Sequence, residues 1–451
     1  PSDITMSLSK DGGADGFPFP LTSVTGDLTG VTTGTGYTIT WDIAADYPNE
    51  DIPNAQLRVT ADDGLALFTL TYTAGPGGSI SGNASQSVVE GNDGTAVTAV
   101  PNSGFAFTGW SDGVLTAART DTNVLADLSV TANFQAQLVE MISVPAGSFA
   151  MGRTSSGDDA TFGSSAELPV HTVTLSAYEI GKFEVTNQQV CDVFNWADDQ
   201  GFFTTVNATT AQAFGQTLLN LGSSSCHIEY VGGVFQPETR TGLPGTTVYS
   251  MANHPVQTIS WFGAAAFCNW LSQIEGLTPV YNTSTWAANF ANNGYHLPTE
   301  AQWERAAAWD GAKHWIYSFT SDTLTGSNRA NYTPSSRANP LGLTADPRTS
   351  PVGWFDGSNV SPNGSIATIN SVSPIGAYDM SGNVWEWCHD WYDSGYYASS
   401  PGTDPEGPGS GSLRVFRGGS WDLNAGVCRS AFRGSNTPSF TLSFIGFRLA
   451  R

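Results

Sequence analysis

Hydrophobic and polar positions change their period along the chain. From residue 1 to about residue 64, apolar and polar side chains alternate between Gly- and Asp-rich turns. ITMSLSKDGG, YTITWDI and AQLRVTADDG each predict a strand there. The two-residue period continues from Leu67 to about Ala136. It passes through FTLTYTAGPGGSISGNASQSVVEGNDGTAVTAV and a PNSGFAFTGWSDG turn, and closes on LADLSVTANF. From about Gln137 the pattern becomes mixed α+β. Thr186 is placed to cap the run NQQVCDVFNWA. In SWFGAAAFCNWLSQIEG, Phe262, Ala265, Ala266, Trp270 and Leu271 recur at helical spacing. TEAQWERAAAW predicts a third helix, with Thr299 as cap and Gln302 as its capping-box partner. Beyond it the chain is loop-rich, with tryptophans and glycines and little period.

A length of 451 residues is too great for one core and predicts roughly two to four domains. The pattern divides them as residues 1–65, 66–136 and 137–451. Charged residues are only 13% of the chain, yet Asp and Glu outnumber Lys and Arg by 40 to 17, for a formal charge of -23. Such a surface repels phosphate backbones, so nucleic acid is not an expected partner. It suits an extracellular or cell-surface protein, or one that gathers calcium on carboxylates and carbonyls. The 50 glycines fit turn-rich β structure. Cys191, Cys226, Cys268, Cys388 and Cys428 are scattered with no CxxC pair, which argues against a structural zinc site and a disulfide framework. No apolar run approaches a membrane span, so no transmembrane segment is expected. No secretory leader is read at the start, and a beginning at Pro1 rather than Met is the expectation for a processed or trimmed product.

The first 65 residues resemble an immunoglobulin-like or fibronectin-like module with too few strands for a full sandwich. An edge left open in this way would need covering by another segment, and it offers a route to self-association. The second module resembles the bacterial β-repeat of internalin-type surface proteins. Gly104, Phe105, Phe107, Gly109 and Trp110 carry that match. Trp110 is expected to fill the core of this small sheet rather than to contact a ligand.

The blocks SVPAGSFAMG, PVHTVTLSAYEIGKFEVTNQQV, HPVQTISWFGAAAFCNWL, GYHLPTEAQWERAAAW, GAYDMSGNVWEWCHDWY and RVFRGGSW…IGFRLAR resemble the sulfatase-modifying-factor, or formylglycine-generating-enzyme, family. The resemblance covers roughly two thirds of the chain and implies a variant of the C-type lectin fold. The expected architecture is thus multidomain: two small all-β modules followed by an α+β C-type lectin-like domain.

In the oxidase members of this family a pair of cysteines five residues apart binds copper and oxidises a substrate cysteine to formylglycine. Counted from Ser420, those positions fall on Leu423 and Cys428. Leucine cannot bind a metal, and copper(I) needs soft thiolates, so copper is not expected. Cys428 then reads as a buried structural thiol, and only under the oxidase reading would Cys428 and Ser420 be catalytic. No histidine cluster of the iron-dependent sulfoxide-synthase relatives is recognised. Calcium fits better, in a structural role. In DMSGNVWEW, Asp379 and Glu386 flank a turn whose carbonyls at Gly382 and Val384 can converge between them. The resemblance implies calcium on these four residues and a second site beginning at Asn331. A plain Asx-stabilised turn is the competing reading.

The end of the chain also resembles the variable cassettes of diversity-generating retroelements, whose frame runs GGSW…CRSA-R…TP…IGFR. Within the region 414–451, the slots assigned to variation are Asp422, Leu423, Asn424, Val427, Phe432, Gly434, Ser435, Asn436, Phe440, Leu442, Ser443 and Phe444. All are residues that adenine mutagenesis of AAC codons can reach, and no Lys, Glu, Gln or Met occurs from Trp421 to Phe444. A few apolar anchors among small polar groups resemble a paratope. Exposure is expected for Leu423 and Phe432. SFTLSF stays open between exposed loop and an amphipathic strand with Phe440 and Leu442 facing the core. The implied function is non-catalytic display of a binding surface toward an unknown ligand, a protein by the chemistry of the slots. An active formylglycine-generating oxidase and a structural surface or filament protein are the alternatives.

Overall fold

Asp3–Ser9 is the middle strand of its sheet. It pairs antiparallel with Gln56–Asp62 along its whole length and with Phe19–Pro20 near its end. The computed structural model describes residues 3–29, 31, 37–62, 64–102, 105–240, 249–333, 348–361 and 366–451. It divides into two units, Pro1–Gln137 and Leu138–Arg451. One edge strand of the first sheet is Gln56–Asp62, where Leu57 and Val59 are 46% and 55% exposed. YTITWDI gives a shorter strand than its alternation predicts. Ile39–Trp41 stops because Asp42 accepts from the amides of Ala44 and Ala45 and caps a one-turn helix, Ile43–Asp46.

In the repeat module, Phe105–Trp110, Leu128–Ala136, Leu67–Ala74 and Ser85–Val89 form one sheet in that order. The two central strands run parallel. Ala118–Arg119, Val97–Pro101 and Gly78–Gly82 form a second sheet. Leu70, Tyr72, Val97, Ala99, Val130 and Trp110 make the core. Trp110 is 2% exposed, as a core residue should be, and its indole N–H donates to the Thr116 carbonyl at 3.1 Å. Gly104 lies outside the described residues.

The second unit is organised by three helices that begin where local capping chemistry directs. Helix α1 (Asn187–Asp199) starts at Thr186. The Thr186 hydroxyl accepts from Gln189 N at 3.3 Å, and the Gln189 side chain accepts from Thr186 N at 2.8 Å. Helix α2 (Trp261–Ile274) is capped by Ser260 and is buried nearly all round, so its apolar stripe widens to the whole circumference. Gly263 permits this, because a Cβ there would lie 2.2 Å from the Leu218 carbonyl oxygen. Helix α3 (Glu300–Ala308) repeats the capping box with Thr299 and Gln302. Strands β1 (Trp385–Trp391), β2 (Arg414–Arg417), β3 (Gly434–Asn436) and β4 (Ile445–Phe447) form a sheet in the order β3-β2-β1-β4, with β4 parallel to β1. One core packs α1 and α2 against β1 and β4. A second gathers around Trp303 of α3. All five cysteines are buried and unpaired.

SFTLSF forms no strand. Its backbone, with Pro438 ahead of it, is held by single contacts to the segment entering α2 and to β1, where Trp385 N donates to the Phe444 carbonyl at 2.8 Å. Thr258 N donates to the Leu442 carbonyl at 3.1 Å, Trp261 N to Pro438 at 3.0 Å, and the Gln257 amide to Ser443.

Candidate functional site

Four arginines fix the last segment of the chain. Arg417, Arg429, Arg433 and Arg448 are buried, and each finds its carboxylate far upstream or on β1. Arg417 Nη1 donates to Glu300 at 3.0 Å and its Nη2 to Glu304, one turn further along α3. Arg433 makes two hydrogen bonds to Glu300, at 2.6 and 2.8 Å. Arg429 holds Asp159 at 2.6 Å and both oxygens of Glu167 at 2.8 Å. Arg448 holds both oxygens of Glu386 at 2.6 Å. Burial would raise the Glu304 carboxyl, but Arg417 and His314 hold it down at about 2. Bidentate geometry fixes orientation as well as distance, so these pairs position the backbone between them.

The slots lie between the anchors. Asn424 and Phe440 are exposed. Asp422, Leu423, Val427, Phe432, Gly434, Ser435, Asn436, Leu442, Ser443 and Phe444 are half-buried. Among them, Gly426, Cys428, Arg429, Ser430, Ala431 and Arg433 are buried, as is the run from Ile445 to Ala450 that follows; Ala425, Thr437, Pro438 and Thr441 are half-buried and Ser439 is exposed. Phe440, at 46%, is the most exposed of the segment's large apolar side chains. Leu423, Val427, Phe432, Leu442 and Phe444 rest one side on the first core. Phe432 meets the Trp385 ring at 5.7 Å between centroids. Exposure of Leu423 and Phe432 is thus partial rather than full.

Cys428 is fully buried beneath the Gly418-Gly419 turn. Its thiol donates to the Asn424 carbonyl at 3.7 Å, and burial pushes it up to about 12. Ser420 is buried, with a hydroxyl that finds no partner. Leu423 contributes no donor atom, so Leu423 and Cys428 do not make the two-thiolate set that copper(I) requires.

The acidic turn is more crowded than its sequence suggests. The Asp379 carboxylate accepts from Gly353 N at 2.6 Å. Glu386 is already committed: besides Arg448, its Oε2 takes the Trp303 indole N–H at 2.7 Å. Gly382, at φ +99°, passes close to Asn331, where a Cβ would meet the Asn331 carbonyl oxygen at 2.5 Å. That same oxygen accepts from Asn383 N at 2.8 Å, which ties Asn331 to this turn. Glu184, which sequence reasoning missed, accepts from Val384 N at 3.1 Å and the Asn383 amide at 2.6 Å. Its only sequence signal is an acid set between Phe183 and Val185, just ahead of a cap. Burial first, then Asp379 and Glu386, raise the Glu184 carboxyl well above its usual range. Burial also lifts Asp379, to about 6. Among the described residues, no three His, Cys, Asp or Glu side chains are grouped to hold a metal ion by themselves. A cation at this turn would rely on backbone oxygens as well as acids.

The sulfatase-modifying factor enzyme 1-like domain family matches residues 128–451, and the divergent InlB B-repeat domain family matches residues 68–138. The chain is 32% identical over 329 residues to a formylglycine-generating enzyme of Streptomyces coelicolor, covering 68% of this chain and 88% of that protein. It is 29% identical over 291 residues to the hercynine oxygenase of Mycobacterium tuberculosis, covering 63% of this chain and 55% of that protein. Among solved structures, Treponema denticola variable protein 1 shares 26% identity at a TM-score of 0.43, covering 69% of this chain and 94% of that one. With the repeat module ahead of it, and with the ordered blocks from SVPAGSFAMG to IGFRLAR matched in full, the chain belongs to the sulfatase-modifying factor enzyme 1-like family.

Proposed function

We propose that this member of the family is a non-catalytic binding protein that presents the segment 414–451 to a ligand, a protein by the chemistry of the surface. One observation carries the reading. All the slots are half-buried or exposed, while Gly426, Cys428, Arg429, Ser430, Ala431 and Arg433 among them are buried, with Arg429 and Arg433 ion-paired to upstream acids. A surface of Phe, Leu, Val, Ser and Asn on a fixed frame suits recognition by a few apolar anchors among small polar groups. The test is sequencing of the gene's 3′ end from many cells, with a search nearby for a second near-copy. Differences confined to the slots support the reading. An invariant segment with no copy removes its genetic basis.

The second reading, a formylglycine-generating oxidase, is favoured by the identity to the Streptomyces coelicolor enzyme. Leu423 opposes it. Aldehyde formed from a cysteine-containing peptide by purified, copper-loaded protein would overturn the display reading.

Calcium belongs to the proposal as a structural ion. Asp379 and Glu184 are two carboxylates lifted by burial, Glu184 also by Asp379 and Glu386 and Asp379 also by Glu386, on a turn whose Gly382, Val384 and Asn331 carbonyls are further candidate oxygen donors. That donor chemistry suits calcium. Glu386 stays with Arg448 in this assignment. An extracellular or cell-surface location is part of the same reading, as is self-association along Gln56–Asp62. Both follow from module type, acidic charge and the exposed Leu57 and Val59.

A further inference from the structure

Arg414 is the exception among the frame arginines. It opens β2 and is 3% exposed, yet no carboxylate of the described residues lies within ion-pair distance. Its guanidinium carbon sits 3.9 Å from the centre of the Trp261 ring and 3.6 Å from that of Trp391, so both faces are covered. Nη1 donates to the His389 carbonyl. Nε is buried without a partner, and Nη2 makes no hydrogen bond. Four other arginines of the same segment show what this environment normally demands, since Arg417, Arg429, Arg433 and Arg448 all have buried carboxylates. The buried Asp390 carboxylate acts on Arg414 only at a distance and makes no ion pair with it, so the guanidinium keeps unbonded donors that one end of a binding partner could satisfy.

Arg414 borders a pocket of about 370 Å³. Trp286, Trp391 and His389 form its aromatic walls, and the loop Gly407–Gly411 its rim. The loop can lie this close to β1 because residue 411 is glycine: a Cβ would stand 2.9 Å from the Trp391 Cβ. The size falls within the range of small-ligand sites, roughly 300–1,000 Å³. With its faces stacked, the guanidinium keeps one donor edge, Nε–H beside Nη2–H, whose spacing matches the two oxygens of a carboxylate. Edges of two indoles and an imidazole line one side, with Ala287 and Ala288 beside them, which leaves room for a flat ring, while Thr285 and the loop Glu406–Gly411 make the other side polar. His389 is held far below its usual range by burial, then by Arg414 and His296, so its ring is neutral and adds no second positive charge. Glu406 is an exposed carboxylate on the same rim and opposes a second negative charge on the ligand.

We propose that this pocket binds a small monocarboxylate bearing an aromatic ring, with its carboxylate on the Nε–Nη2 edge of Arg414 and its ring against Trp391 and Trp286. The site is separate from the slots and does not depend on how they are read. Burial lowers the Arg414 guanidinium to about 10, which leaves it charged at neutral pH.

The test titrates the full chain with benzoate, benzamide and acetate, followed by melting temperature and by saturation-transfer NMR. Benzoate is expected to raise the melting temperature saturably and to show ring contact. Benzamide has the same shape without the charge and is expected to bind about tenfold more weakly, as is acetate, which lacks the ring. Arg414→Lys removes the forked edge and should weaken benzoate by about tenfold. Should that variant not fold, Ser410→Glu, at an exposed loop position, places a carboxylate at the mouth and should do the same by repulsion. Equal effects of benzamide and benzoate would overturn the carboxylate assignment. No response to benzoate, or an unchanged response in Ser410→Glu, would overturn the site.

Discussion

Arg429 closes on Glu167 through two parallel hydrogen bonds of 2.8 Å, joining positions 262 residues apart with both side chains fully buried. Asp159 completes the arrangement at 2.6 Å on Arg429 Nη1. Removing the arginine strands two buried carboxylates, and loss of one partner of such a pair typically costs about 3–5 kcal/mol. Arg429→Met is therefore expected to lower unfolding free energy in urea by that order. The double variant with Glu167→Gln should recover part of the loss.

Substitution at the slots should behave oppositely. Asp422→Asn, Ser435→Tyr and Phe440→Asn change side chains that are exposed or half-buried and outside the ion pairs. Each is expected to change stability by no more than about 1 kcal/mol. Urea unfolding checks this directly. A loss comparable to that of Arg429→Met at any two of these positions would mean that the segment has no tolerant surface.

The acidic turn predicts a pH dependence. Asp379 has a carboxyl raised by burial from the usual 3.8 to about 6, so it binds its proton more tightly folded than unfolded. That contribution to stability is present below about pH 4 and is lost as pH rises through about 6. Asp379→Asn keeps an acceptor for Gly353 N and suits the left-handed backbone at φ +60°. In chelator, wild type should lose about 2 kcal/mol more than this variant between pH 4 and 7. Asp390, raised by burial and by Glu300 to about 7, adds a slope of the same sign to both proteins. Calcium should reduce the difference in wild type. Parallel pH curves in chelator would remove Asp379 as the cause.

Cys428 provides a chemical check. A thiol raised to about 12 by burial has little thiolate at neutral pH. Alkylation of native protein at mildly alkaline pH should therefore spare Cys428, and urea should expose it; peptide mass spectrometry reads both. Rapid labelling of the native thiol would favour the oxidase reading.

What could be read from the sequence was what is local. Thr186 with Gln189 and Thr299 with Gln302 announce their helices because a capping box needs only four consecutive residues. Trp110 was legible as core because a small sheet must bury its largest side chain, here against Tyr72 and Phe107. The arginine–carboxylate anchors were not legible, since no local pattern links Arg429 to Glu167 or Arg433 to Glu300. The acidic turn was half legible. Asp379 and Glu386 flank it in sequence, but Glu184 enters from another part of the chain and Arg448 claims Glu386. SFTLSF alternates like a strand, yet Leu442 and Ser443 spend their carbonyls on the loop before α2 rather than on a ladder.

The placement of the anchors sets an order on synthesis. Asp159, Glu167, Glu300, Glu304 and Glu386 leave the ribosome before Arg417, Arg429, Arg433 and Arg448 exist to meet them. This domain can close only after its last strand is released, because an unpaired acid keeps its place in water until then. A frameshift or early stop within the segment would leave these acids without partners, whereas a change at Ser435 touches none of the ion pairs. Folding thus proofreads the reading frame of the segment without inspecting the letters at its slots.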